Sequence, residues 1–158
     1  MARTRTHTYD TVVTWTGNRG SGTSGYREYD RSCDLAAPGR PVIAGSSDPL
    51  FRGDPSRWNP EQLLVASLSQ CHLLWYLHLA AEAGVVVTSY VDEAVGTMEE
   101  EPGGAGRFTE VVLRPHDTVA DDGMIPAAQS LHERANELCF IAQSVNFPVR
   151  HEPVAVVA

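Results

Sequence analysis

The side chains best suited to covalent chemistry in this 158-residue sequence are its three cysteines, Cys33, Cys71 and Cys139. An isolated helical cysteine is often only a small buried apolar residue. Cys71 and Cys139, however, fall in two different predicted helices. If those helices pack together, one thiol can attack an oxidant and the other can capture the resulting sulfenic acid. The spacing permits redox chemistry, and Cys33, in a predicted strand, is interpreted as a bystander.

Cysteine chemistry depends on the thiolate, which a nearby cation stabilises. Cys71 is followed by His72, and the preceding loop contains Arg52 and Arg57. Neighbouring residues of a regular helix point about 100° apart, so His72 is expected to be a packing or surface residue. An arginine from a loop is the more suitable partner for Cys71.

A metal site is the first alternative for these residues, with Cys71, His72, His78 and Cys139 as its ligands. Adjacent helical residues cannot both point at one ion, and no pair has the usual CxxC or HxxxH spacing. The pattern therefore disfavours a metal, and we expect no cofactor.

A long helix must position Cys71. Asn59 is its predicted N-cap, Pro60 its first residue, and Glu61 lies in the first turn, where the helix dipole favours a carboxylate. The helix is expected to run to about Ala83 and to stop at Gly84. Because apolar residues occupy most of its sides, the helix is predicted to be central or to lie in an interface.

The other elements are predicted to be strands and one more helix. The expected order is βββ, α, ββ, α, β, which indicates an α+β fold in a single domain spanning residues 1–158. The ranges are strands in 6–16, 26–35 and 41–44, a hairpin from 85–98 and 106–115, a helix over 126–143 and a last strand in 149–157.

The charge balance and the hydropathy of the chain bear on which partners are expected. The chain has 12 Lys and Arg against 20 Asp and Glu, a net charge of −8, and no basic block, so nucleic acid is not an expected partner. No signal peptide is recognised, and the uninterrupted apolar runs fall short of the roughly 18 residues of a membrane span. We therefore expect a cytoplasmic protein without membrane contact, in which the odd cysteine count disfavours a structural disulfide framework.

Two motifs then point to a family. Asn59-Pro60-Glu61-Gln62-Leu63-Leu64 is followed, ten residues after the Glu, by Cys71, and Cys139 lies in the C-terminal helix. With Trp15-Thr16-Gly17 and Glu82-Ala83-Gly84, the chain resembles the OsmC/Ohr family, osmotically inducible protein C and the organic hydroperoxide resistance proteins, over nearly its whole length. The resemblance implies an OsmC-like fold, with antiparallel sheets around a long central helix, in an intertwined homodimer.

The resemblance also implies a thiol-dependent peroxidase. Cys71 would be the peroxidatic thiol, Cys139 the resolving thiol, and Glu61 the carboxylate that orients an activating arginine. The substrate would be an organic hydroperoxide, and a dithiol reductant, of the lipoyl type or another thiol, would reopen the disulfide. For the arginine we favour Arg52, with Arg19 second and the other candidates less favoured: Arg31 and Arg57.

One departure from the family keeps a second function open. Phe140 and Ile141 follow Cys139, where the family commonly has a proline next and a serine three residues on. The alternative is a protein of the same fold that lacks peroxidase activity and binds a small apolar ligand.

The distance between Glu61 and Cys71 carries a structural consequence. Ten residues on a straight helix separate them by roughly 15 Å along its axis, at about 1.5 Å per residue. They cannot share one site within a chain. If Glu61 serves the chemistry, it must therefore reach the Cys71 of a partner chain, which predicts a symmetric dimer with two composite sites.

Overall fold

The computed structural model describes residues 4–158, which divide into two compact units that meet in sequence between Leu63 and Leu64. The described residues form helices and three sheets, one antiparallel and two mixed, so the α+β prediction is confirmed. The strands, however, differ from the sequence-based ranges in number and length.

The first unit contains a three-stranded antiparallel sheet in the order β1-β2-β3. Its strands are β1 (Val12–Trp15), β2 (Cys33–Ala36) and β3 (Ile43–Gly45). The three predicted strands are present, but each is shorter than, or shifted from, its predicted range. Within residues 4–63, no apolar side chain is buried, and four large ones are exposed on the sheet: Val12, Val13, Trp15 and Ile43. This sheet has no hydrophobic core of its own.

Helix α1 (Pro60–Glu82) begins as the sequence predicts. The Asn59 side chain accepts a hydrogen bond from the Gln62 amide N–H at 2.8 Å, and Gln62 Oε1 accepts one from the Asn59 N–H at 3.2 Å. This reciprocal capping satisfies two N–H groups that a helix start otherwise leaves unpaired. Gly84, with a φ of 73°, ends the helix as expected.

By length and composition alone, α1 passes for a membrane span, since an 18-residue window in it has a mean hydropathy of 1.3. The sequence analysis, which counted uninterrupted apolar runs, did not find this. Only 22% of that window is buried within the chain. The helix nevertheless carries polar side chains that bond to other elements of the second unit, as a helix packed in protein does: Ser69, His72 and Tyr76.

The second unit contains two three-stranded sheets, in the orders β4-β7-β9 and β5-β6-β8. The predicted hairpin is confirmed as the antiparallel β5–β6 pair, but the last strand of each sheet runs parallel to its neighbour. The strands are β4 (Val87–Asp92), β5 (Val95–Glu100), β6 (Gly106–Leu113), β7 (Pro115–Val119), β8 (Val149–His151) and β9 (Val154–Val157).

Four features of this unit differ from the sequence-based predictions. The region 85–98, predicted as one strand, belongs to two strands, β4 and β5. The region 149–157, also predicted as one strand, forms β8 and β9. Strand β7 was not predicted. The second helix, α2 (Ile125–Leu138), ends before Cys139, which adopts an extended conformation with a ψ of 109°. Two apolar clusters form the core, one around Ala80, Val85, Val119 and Ala128 and the other around Leu68, Val111 and Leu113.

Candidate functional site

The thiols of Cys71 and Cys139 meet in the second unit. Cys71 is half-buried on α1, and Cys139, which directly follows α2, is 1% exposed. Both are reduced. Burial, together with a hydrogen bond to Cys71, raises the pKa of Cys139 to about 11, although the N–H of Ala142, 3.5 Å from Cys139 Sγ, acts in the opposite direction. The pair that the sequence analysis selected therefore lies together, with one thiol on α1 and the other just after the end of α2.

The two cysteines differ in burial, which makes the Cys139 thiol harder to ionise. A thiol held protonated by burial is a poor first nucleophile, because only the thiolate attacks. Cys139 is such a thiol, and Cys71 is the more accessible of the two. A reagent from solvent would therefore reach the Cys71 sulfur more readily than the Cys139 sulfur.

An apolar surface adjoins Cys71. Leu74, Trp75 and His78 follow it at three-, four- and seven-residue spacing, on the same side of α1, and they line an open pocket of about 250 Å³. The exposed ring of Phe140 meets Trp75 edge to face, with 5.5 Å between ring centroids. Of the two residues that depart from the family pattern, Phe140 thus lines this surface, whereas Ile141 packs into the core.

Glu61 lies in the first turn of α1, as predicted. Its Oε2 atom is buried, and among the residues the structure describes it has no hydrogen-bond partner. A buried carboxylate oxygen without a partner is costly. Because α1 is one continuous helix, Glu61 and the Cys71 of the same chain remain roughly 15 Å apart along its axis.

The candidate arginines all belong to the first unit, and three of them are already bonded locally. Arg19 donates to the carbonyls of residues 27 and 28, and Arg31 to those of residues 26 and 29. Arg57 pairs with Asp34 and Asp54. The Arg52 side chain has no hydrogen bond or ion pair within residues 4–158, and its guanidinium lies 6.0 Å from the centre of the Tyr26 ring. Of the four candidates, Arg52 is the one available to a further partner.

His72 belongs to a buried polar chain that the sequence analysis did not find. Its Nε2 lies 3.0 Å from Nδ1 of His132, and Nε2 of His132 lies 3.0 Å from Oδ1 of Asp117. The Tyr76 hydroxyl donates to Oδ2 of Asp117 at 2.6 Å. All four residues are fully buried. Of the two expectations for His72, a packing or a surface residue, the structure shows the buried one. No group of three or more potential metal ligands occurs in the described part of the chain.

The sequence does carry a signal for part of this buried polar chain of side chains. His72 and Tyr76 are four residues apart on an otherwise apolar helix, the spacing that places two side chains on one face. Asp117 lies in the strand that was not predicted, and nothing local to the sequence pairs it with His132.

The stability of the protein is expected to fall in acid because of His72. Burial, with smaller effects of His132 and His151, lowers the pKa of His72 to about 3. The unfolded chain, with an ordinary histidine pKa near 6.5, binds a proton that the folded chain excludes. This contribution is complete above pH 6.5 and is lost as the pH falls towards 3, by roughly 1.4 kcal/mol of unfolding free energy per pH unit.

Urea unfolding at a series of pH values measures this slope. His72→Gln is expected to flatten it, and His116→Gln, a change at an exposed histidine of β7, to leave it unchanged. Part of the slope remains in His72→Gln, because burial also lowers the pKa of His151. Equal slopes for the wild type and His72→Gln would contradict the assignment.

Comparison with known proteins places this arrangement in context. The family profile described as OsmC-like protein matches residues 53–153. An OsmC-like protein of unknown function from Vibrio cholerae superposes with a TM-score of 0.84 at 30% identity, over 94% of this chain and 100% of the other. A search of curated protein sequences finds no match.

Two further structures share the fold at lower identity. An organic hydroperoxide resistance protein from Elizabethkingia anophelis, with thiocyanate bound, has a TM-score of 0.68 at 16% identity over 99% of each chain. One from Legionella pneumophila has the same TM-score and identity, over 98% of this chain and 100% of the other.

Proposed function

The chain belongs to the OsmC-like protein family, and we propose that it is a thiol-dependent peroxidase that reduces organic hydroperoxides. The observation that carries the proposal is the contact between the half-buried Cys71 thiol and the buried Cys139 thiol beside an apolar surface. Structures named as organic hydroperoxide resistance proteins share the fold. Two reduced thiols in contact are the arrangement that a cysteine peroxidase needs.

In the first step the Cys71 thiolate attacks the terminal oxygen of the hydroperoxide. The S–O bond forms as the O–O bond breaks, and the alkoxide leaves and takes up a proton to become an alcohol. In the second step the Cys139 sulfur attacks the sulfur of the Cys71 sulfenic acid. The disulfide forms, and the thiol proton leaves with the hydroxide as water. An external dithiol, of the lipoyl type or another thiol, then reduces the disulfide.

The surroundings of Cys71 favour an organic peroxide over hydrogen peroxide. Leu74, Trp75 and Phe140 offer apolar surface to an alkyl or aryl group, and burial of that surface supplies binding energy of about 25 cal/mol per Å². Hydrogen peroxide has no apolar group to bury there.

The site is proposed to be completed by a second copy of the chain. The buried Glu61 Oε2 lacks a partner, and the guanidinium of Arg52 lacks one within the described residues. A Glu61–Arg52 pair delivered to the Cys71 of the partner chain would satisfy both groups and stabilise the thiolate. The exposed apolar residues of the first sheet and of α1 support such a dimer, since large unpaired apolar patches mark interfaces.

A titration tests the proposed function. Reduced protein is mixed with increasing cumene hydroperoxide, and free thiols and cumyl alcohol are measured. We expect two thiols lost and one alcohol formed for each hydroperoxide consumed, because the disulfide closes on the sulfenic acid. Protein that binds cumyl alcohol but keeps its thiols reduced would instead be the apolar-ligand binder. We also propose a cytoplasmic location and a single OsmC-like domain over residues 1–158. The titration tests neither of these two proposals.

A further inference from the structure

The buried chain of Asp117, His132 and His72 has no part in the steps above. Buried polar groups of this kind are costly unless every bond is made. Here the links are short, at 3.0 Å for each histidine contact and 2.6 Å for the bond from Tyr76 to Asp117. The chain connects α1, α2 and β7, three elements of the second unit.

Three polar bonds hold one face of α1. Ser69 donates to Asp92 at the end of β4, at 2.6 Å, in addition to the bonds made by His72 and Tyr76. Ser69, His72 and Tyr76 lie within an arc of roughly 60° on the helix, given 100° per residue. Apolar residues occur on all sides of α1, so burial of apolar surface gives little preference for one rotation about its axis. Directional hydrogen bonds supply that preference.

Each of the two histidines lies close in sequence to one of the two cysteines. His72 directly follows Cys71 on α1, and His132 precedes Cys139 by seven residues, two helical turns. A rotation of α1 by about 20° would move the Cβ atom of Cys71, which lies roughly 3 Å from the helix axis, by roughly 1 Å. A disulfide accepts Cβ separations of only about 3.5–4.5 Å. A small rotation is therefore enough to prevent the bond.

We propose that the Asp117–His132–His72 chain holds α1 at the rotation that places Cys71 against Cys139 and thereby sets how readily the disulfide forms. These are positioning residues. The catalytic meaning of the disulfide rests on the proposed function, but its equilibrium is measurable without any peroxide.

The direction of the hydrogen bonds defines a matched pair of variants. His72 Nδ1 has no partner in the described residues, so its proton is best placed on Nε2, donating to Nδ1 of His132. His132 then donates from Nε2 to Asp117, which accepts from Tyr76 as well. A glutamine at position 72 can present an N–H where Nε2 lies, whereas a leucine cannot.

The test compares His72→Gln with His72→Leu in glutathione redox buffers, with the intramolecular disulfide quantified by alkylation and mass spectrometry. We expect His72→Gln to match the wild type. We expect His72→Leu to lower the equilibrium constant for disulfide formation about tenfold, which makes the reduction potential about 30 mV less negative. Asp117→Asn, which breaks the other end of the chain, is expected to shift the potential in the same direction.

Val119→Ala separates positioning from loss of stability. This change truncates a fully buried side chain in the core cluster around Ala80 and Val85. It is expected to lower the stability of the protein without changing the reduction potential of the Cys71–Cys139 disulfide. A wild-type potential in both His72→Leu and Asp117→Asn would overturn the inference, and so would an equal shift in Val119→Ala. Failure of the proposed function would appear separately, as hydroperoxide that is not consumed by a wild-type protein whose disulfide still forms.

Discussion

Cys71→Ser is expected to reduce hydroperoxide turnover to the uncatalysed background, a loss of about 10³-fold or more, since it removes the attacking nucleophile. Serine is close to cysteine in size, so the fold is expected to persist at this half-buried position. Alcohol formation from cumene hydroperoxide, followed with excess dithiol, measures the loss. A fully active Cys71→Ser protein would show that the proposed mechanism is wrong.

Cys139→Ser is the matched control, because it removes the second thiol and leaves the first. This variant is expected to reduce one equivalent of hydroperoxide to give the Cys71 sulfenic acid. A second equivalent then oxidises it to the sulfinic acid, which intact-mass measurement detects as two added oxygens. Cys33→Ser, at a cysteine outside the second unit, is expected to behave as the wild type in both assays. If Cys139→Ser resisted overoxidation, capture of the sulfenic acid by Cys139 would be excluded.

A heterodimer of Glu61→Gln and Cys71→Ser chains is expected to recover activity that neither variant homodimer has. If each site combines the Cys71 of one chain with the Glu61 of the other, this heterodimer contains one intact site. Co-expression with two different tags and sequential purification isolates it. Its activity is expected to be about half that of the wild type, because one of two symmetric sites works.

The control reverses the arrangement of the same two changes. A heterodimer of wild-type chain with the Glu61→Gln/Cys71→Ser double variant has both changes in one chain, and a composite site leaves neither site intact. It is expected to be nearly inactive, whereas a site built within one chain would leave it half active. Replacing Glu61→Gln by Arg52→Lys in the same pair of experiments tests the arginine, since Arg52 belongs to the same unit as Glu61.

The sequence predicted best what local chemistry determines. The start of α1 follows from Asn59 and Pro60, whose effects act within one helical turn. The end of α2 was placed too late, because Phe140 and Ile141 continue the apolar pattern although the backbone turns at Cys139. Strand β7 was missed since Pro115 opens it and Asp117 is polar, both typical of a loop.

For the candidate site, too, the sequence predicted some features and missed others. Two cysteines in two predicted helices permitted a thiol pair, and the family resemblance, rather than their spacing, selected it. The bonds of His132 to His72 and Asp117 join residues 60 and 15 positions apart, and no periodicity encodes them. The parallel pairing of β8 and β9 with their neighbours is likewise a long-range contact that alternation alone does not specify.

The exposed sheet of the first unit has a consequence for how the protein reaches its working form. Among its described residues, up to Leu63, no apolar side chain is buried, so this unit gains little hydrophobic free energy from folding by itself. In the proposed dimer, burial of this sheet against the partner chain would supply further free energy, and such association depends on protein concentration. If this dimer forms, newly made chains at low abundance would keep the sheet loosely formed and open to proteases, so that the amount of protein would itself govern the fraction that survives.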